Sequence, residues 1–231
     1  MSLFSQSAPR PLAERMRPER LKDIVGQDHL LGEDAFLGRA IRSGRIFSII
    51  FWGPPGSGKT TLARLMGAYA GVSFHAFSAV ASGVKALREV ISVAETEMKS
   101  RGRPVILFVD EIHRFNKAQQ DAFLPHVESG LIILIGATTQ NPSFEVIPPL
   151  LSRARTVVLK PLAEKDIQTL IARALQDEER GLGKLNVRME PEAMTLLVGL
   201  SNGDARVALN NLESAVHYAL GNKSKGPVPL D

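Results

Sequence analysis

Gly53-Pro54-Pro55-Gly56-Ser57-Gly58-Lys59-Thr60 matches the phosphate-loop pattern G-x-x-x-x-G-K-[ST] at every position. The apolar run Ile46 to Trp52 (IFSIIFW) predicts a buried strand feeding the loop, and Thr61-Leu62-Ala63-Arg64-Leu65-Met66 predicts the helix leaving it. Gly53, Gly56 and Gly58 let backbone N–H groups converge on phosphate oxygens without an intervening Cβ. The N-terminus of the following helix adds a partial positive charge. In this pattern Lys59 reaches the β- and γ-phosphates and the Thr60 hydroxyl ligates Mg²⁺. Pro54, Pro55, Ser57 and Thr61 complete the predicted nucleotide-binding segment. The stretch therefore predicts a site for a nucleoside triphosphate and its Mg²⁺.

Working outward, strands and helices alternate. Strands are expected over residues 72–77, 104–109, 131–135 and 156–159, with helices over 84–99 and 117–127. The apolar 104–109 run suits a central parallel strand, and the alternation predicts an α/β fold with a five-stranded parallel sheet. After Pro161 the character changes to helices. Ile167, Leu170, Ile171, Ala174 and Leu175 form one apolar stripe; Ala205, Ala208, Leu209, Leu212, Ala215 and Val216 form another. The expected organisation is a basic extended arm (1–22), an α/β domain (23–160), a small helical lid domain (161–220) and a linker at which the chain is cut short (221–231).

Composition is ordinary for a globular protein, with 231 residues, 44% hydrophobic and 23% charged. No apolar run approaches the roughly 18 residues that span a bilayer, and the N-terminus lacks an apolar signal region. The absence of cysteine excludes disulfides and thiolate metal sites and fits a reducing cytosol, so a cytoplasmic location without membrane attachment is expected. A net charge of +4 permits nucleic-acid binding without demanding it.

The third strand runs into Asp110-Glu111. An acid at the carboxyl end of a strand beside a phosphate loop can hold Mg²⁺ through water, and a second acid can polarise the attacking water. That pairing favours hydrolysis over transfer to a small acceptor. The fourth strand runs into Thr138-Thr139-Gln140, whose side chains can orient the lytic water or meet the γ-phosphate, or simply bond locally. Arg153, before the fifth strand, and Arg206, at a helix start, are ambiguous from spacing alone, between solvated surface cations and groups that neutralise phosphoryl charge.

In this order the pieces resemble AAA+ P-loop ATPases of the clamp-loader type. Asp23-Ile24-Val25-Gly26-Gln27 resembles the adenine-contacting box of that group, which implies ATP and brings Val25 and Gly26 into the nucleotide site. Residues 17–32, the string FVDEIHRFNKAQQDAFLPHVESG (108–130) and IGATTQNPSFEV (135–146) are more specific. They resemble the replication-associated recombination protein A family, the bacterial counterpart of the eukaryotic Werner-helicase-interacting ATPases.

The resemblance covers nearly the whole chain. It implies a DNA-stimulated ATPase acting in replication-fork maintenance, recombination and repair, on single-stranded, gapped or fork-like DNA. The implied partners are single-stranded DNA-binding protein and replisome components. It places one of Thr138 and Thr139 as sensor 1, Arg153 as an arginine acting in trans, and Arg206 of Gly203-Asp204-Ala205-Arg206 as sensor 2 above the γ-phosphate. Ser78 falls where a switch residue often holds the catalytic Glu111. ATP is expected between the α/β domain and the lid. Gln140 stands where the family's string leads one to expect Glu. The family's C-terminal half carries its tetramerisation region; without it a monomer or weak associate is expected.

Several residues are set aside. Asn116-Lys117-Ala118-Gln119 lacks the Asp of a guanine-specificity motif; His113 and His126 read as surface or capping residues; Arg10, Arg15, Arg17, Arg20 and Lys22 read as a solvated basic arm. The rivals are a clamp-loader-like or branch-migration motor subunit and a protein-remodelling ATPase. The latter normally presents an aromatic-hydrophobic-Gly loop, where residues 79–85 read AVASGVK.

Overall fold

The computed structural model of the chain describes residues 10–78, 84–221 and 229–230. The chain divides into two compact units, residues 19–160 and residues 161–231 together with 1–18.

In the first unit, β1 (Ile49–Trp52), β2 (Phe74–Ser78), β3 (Val105–Asp110), β4 (Ile132–Thr138) and β5 (Arg155–Val158) form one parallel sheet in the order β2-β3-β4-β1-β5. Alternate side chains leave opposite faces of a strand. Ile50, Leu107, Val109 and Leu134 therefore pack with Ile112, Phe115 and Phe123 on one face. Ile49, Phe51, Ile106, Phe108 and Ile135 pack with Leu62 and Met66 on the other. Those last two belong to α2 (Lys59–Ala70), which follows α1 (Phe36–Arg42). Next comes α3 (Val84–Arg101), which buries Leu87 and Ala94.

Register sets the functional edge. Ser78 lies opposite Asp110, and Trp52 lies opposite both Thr138 and Val158, so the carboxyl ends of all five strands share one side. β4 runs to Thr138, past the expected end at Ile135, because it stays paired with β1 to the last residue. β1 starts at Ile49 rather than Ile46.

The expected helix over 117–127 is broken into α4 (Lys117–Asp121) and α5 (Leu124–Glu128). Pro125 lies in the first turn of α5, where its missing N–H is harmless; inside one continuous helix its ring would clash with a carbonyl one turn back. Asn116 and Gln119 start α4 with reciprocal side-chain-to-backbone bonds, a capping box.

The second unit contains α6 (Glu164–Gln176), α7 (Pro191–Ser201) and α8 (Ala205–Gly221). Ile167, Leu170, Ile171 and Ala174 of α6 are buried, as are Ala208, Leu209, Leu212 and Val216 of α8. Arg188–Met189 and Pro229–Leu230 form a short parallel pair. Asp177 holds the turn after α6: its carboxylate accepts the N–H of Arg180 at 2.8 Å and of Glu179 at 3.0 Å. Those bonds, the Arg180 N–H foremost, keep its pKa below the ordinary carboxylate value.

The N-terminal segment differs from the extended arm expected over residues 1–22. Residues 12–15 form a helical turn within the helical unit, and residues 1–9 lie outside the described residues. Leu12 is fully buried and its N–H donates to Glu213 Oε2 at 2.9 Å. Arg15 bonds the carbonyls of Arg180 and Gly181 and the carboxylate of Glu213. One buried leucine and one part-buried ion pair outweigh the polar look of the segment. Among the described residues no helix is long and apolar enough to cross a membrane.

Candidate active site at the carboxyl edge of the sheet

Gly53 leaves β1 where a Cβ would stand 2.6 Å from the Leu159 carbonyl oxygen, so only glycine fits without backbone movement. Its N–H donates to Thr138 O at 3.1 Å, tying the loop to the end of β4. Gly56 and Gly58 have φ of 65° and 102°, the left-handed region that glycine enters without strain. Lys59 opens α2 and is largely buried, with Nζ donating to the carbonyls of Gly53 and Pro54 at 2.8 Å each. Ser57 is buried and its hydroxyl bonds Pro54 O at 2.8 Å. The loop is thus closed on its own carbonyls, with its ammonium already in place.

The upstream box meets the loop through Gln27. That residue is buried with φ of 63°, and Nε2 donates to Lys160 O at 2.7 Å and, more weakly, to Ser57 O at 3.4 Å. Gln27 accepts the Lys160 N–H through Oε1 at 3.1 Å. Val25 and Gly26 directly precede this anchor, and Gly26 has φ of 67°.

Asp110 ends β3 with its side chain exposed and accepts the Glu111 N–H at 3.1 Å. Glu111 takes φ of 51°, uncommon for a residue with a side chain. The chain then tightens into a 3₁₀ turn, Ile112–Arg114. Ile112 is buried on β4 at Gly136, where a Cβ would lie 2.7 Å from Ile50 Cδ1 and 3.0 Å from Ile112 Cδ1. This close approach brings His113 to the end of β4. Its Nδ1 is 3.1 Å from Glu111 Oε2 and 3.0 Å from Thr138 Oγ1, and its side chain is only 10% exposed.

His113 is therefore not the surface or capping residue expected from its sequence position. The only available sequence signal is the Glu-x-His spacing, which brings the two side chains together only when the chain turns sharply between them.

Thr138 has no exposed surface; its hydroxyl also meets Gln140, accepting the backbone N–H at 3.0 Å and facing the carbonyl at 3.2 Å. Thr139 is exposed at the same edge. Arg153 is exposed too, its guanidinium paired with Glu128 at 2.6 Å and donating to Pro149 O at 2.9 Å. Arg206 lies in the second unit at the start of α8, where Asp204 accepts its backbone N–H at 2.8 Å. Residues 79–83 and the Ser78 side chain lie outside the described residues, and with them the loop segment and switch position singled out above.

The donor set suits Mg·ATP. Asp110 and Thr60 offer hard oxygens, and Mg²⁺ commonly takes one or two carboxylates with the rest from substrate phosphates and water. Among the described residues no group of three or more His, Cys, Asp or Glu could hold a metal ion.

Residues 49–162 match the family described as "ATPase family associated with various cellular activities (AAA)". Replication-associated recombination protein A of Escherichia coli is 52% identical over 94% of the chain, which spans 48% of that relative's length. ATPase WRNIP1 of Dictyostelium discoideum is 44% identical over 92% of the chain and 24% of its own length. Among solved structures, the Thermotoga maritima RuvB Holliday junction branch migration motor superposes with a TM-score of 0.68 at 27% identity, covering 90% of this chain and 67% of that one.

Proposed function

We propose, for a chain that belongs to the AAA family of ATPases, that it binds Mg·ATP at the carboxyl edge of the sheet, hydrolyses it and acts on DNA. The observation that carries this reading is convergence. The Lys59 loop, the Asp110–Glu111 pair and the Thr138–Thr139 turn end three adjacent strands on one side.

Backbone N–H groups of residues 53–60 and the Lys59 ammonium receive the phosphates, and Val25 and Gly26 border the adenine. Asp110 and Thr60 hold Mg²⁺, which supplies charge neutralisation on the phosphate oxygens when bound. Glu111 takes a proton from the attacking water as general base. Thr139, exposed at the strand end, is the better sensor 1 residue, since the Thr138 hydroxyl is engaged internally. Arg153 acts on the site of a neighbouring copy and Arg206 serves as sensor 2.

The DNA half of the reading rests on the likeness to replication-associated recombination protein A over 94% of the chain. The substrate is single-stranded, gapped or fork-like DNA, met in the cytoplasm at replication forks with single-stranded DNA-binding protein nearby; the tetramer belongs to the full-length relatives, and this chain by itself is a monomer or weak associate. ATPase rate with and without single-stranded, gapped, blunt-ended and four-way-junction DNA tests it. Stimulation by gapped or fork DNA is expected. Stimulation by the junction alone would favour branch migration, for which the RuvB likeness speaks; stimulation by unfolded protein and not by DNA would overturn both.

A further inference from the structure

We propose that His113 is a positioning residue for Glu111: it fastens the carboxylate to the end of β4 through Thr138, and so sets where the base stands. This rests on the reading of Glu111 as general base. The three groups come from different local structures. Glu111 sits in a left-handed conformation, His113 in the 3₁₀ turn that follows, and Thr138 at the last position of β4.

One proton arrangement satisfies every contact. An ionised carboxylate only accepts, so the 3.1 Å approach of Glu111 Oε2 requires the proton on His113 Nδ1. Thr138 Oγ1 receives the Gln140 N–H at 3.0 Å, and its own hydroxyl proton can turn to Gln140 O at 3.2 Å. Its remaining lone pair faces His113 Nδ1 at 3.0 Å as a second acceptor. The imidazole N–H is then shared between the base and the strand end, and the ring is held by burial. Thr138 is followed directly by the exposed Thr139, and Thr138 O receives the N–H of Gly53 in the phosphate loop. A shift of the β4 end against a phosphate therefore moves the anchor of Glu111. Without this anchor a glutamate on an exposed turn samples several rotamers, and few of them face a water on the γ-phosphate.

The test uses two substitutions of similar size and opposite geometry. An asparagine amide nitrogen is bonded to Cγ, as Nδ1 is, whereas a glutamine amide lies one bond further out, nearer to Nε2. His113→Asn is expected to retain single-turnover hydrolysis within about threefold of wild type, and His113→Gln and His113→Ala to lose about tenfold or more, all with unchanged Mg·ATP affinity. In the Glu111→Gln background, His113→Gln is expected to cost nothing further, because the two residues act as one unit.

A second readout does not depend on turnover. The imidazole nitrogen resonances of His113, measured by NMR in the ATP-free protein, are expected to report the Nδ1–H tautomer and to shift in Glu111→Gln. Equal losses in His113→Asn and His113→Gln, additive losses with Glu111→Gln, or an Nε2–H tautomer overturn the proposal. Normal turnover in Glu111→Gln overturns the base assignment itself, and is told apart because it needs no change at His113.

Discussion

Gln27 grips the backbone of Lys160 from both sides, donating to its carbonyl at 2.7 Å and accepting its N–H at 3.1 Å. The same amide nitrogen touches Ser57 O of the phosphate loop at 3.4 Å. A single side chain from the upstream box thus fixes the chain leaving β5 and borders the loop that would receive phosphate.

Gln27→Ala removes both bonds and leaves part-buried backbone groups unpaired, so a loss of roughly 2–4 kcal/mol in urea unfolding is expected. Gln27→Glu should be at least as damaging, since an ionised carboxylate cannot donate to the Lys160 carbonyl. Wild-type stability in both variants would show that the clamp is incidental.

The two threonines should separate in stability, while turnover falls in both, in Thr138→Val because the contact of its hydroxyl with His113, and with it the anchor of Glu111, is lost. Thr138→Val keeps shape but strands the Gln140 N–H, and is expected to cost about 1–2 kcal/mol of stability. Thr139→Val, on an exposed turn, should leave stability within about 0.5 kcal/mol while lowering turnover by about tenfold or more at unchanged ATP affinity. Thermal melts and single-turnover assays on both variants decide it; the reversed pattern would make Thr138 the sensor.

Arg153 is tethered within its own chain to the Glu128 carboxylate, the Pro149 carbonyl and the Ser152 hydroxyl. If it acts on a neighbouring copy, Arg153→Ala should bind ATP normally and lose roughly 10³-fold in rate. Mixing Arg153→Ala with Glu111→Gln protein should then recover part of the activity, because some interfaces pair an intact base with an intact arginine. No recovery in mixtures that do assemble would place Arg153 outside the reaction.

The phosphate loop, the acidic pair and the α/β order were legible because each is written locally, as a short pattern or an apolar run. What was not legible depended on distant partners. Leu12 is one leucine in a polar stretch, and nothing nearby announces that Glu213, far along the chain, will receive its N–H. His113 needs the left-handed turn at Glu111 and the bare backbone of Gly136, which lets Ile112 settle onto β4. The break between α4 and α5 could have been read from Pro125, since a proline in mid-helix forces an end near that point.

Calorimetric titration with Mg·ATP of the wild-type chain, Lys59→Ala and Glu111→Gln tests the central claim most directly. One site is expected in the wild type and in Glu111→Gln, with binding lost in Lys59→Ala although that variant remains folded by circular dichroism. Equal affinity in Lys59→Ala, or no heat from well-folded wild type at millimolar Mg·ATP, would contradict it.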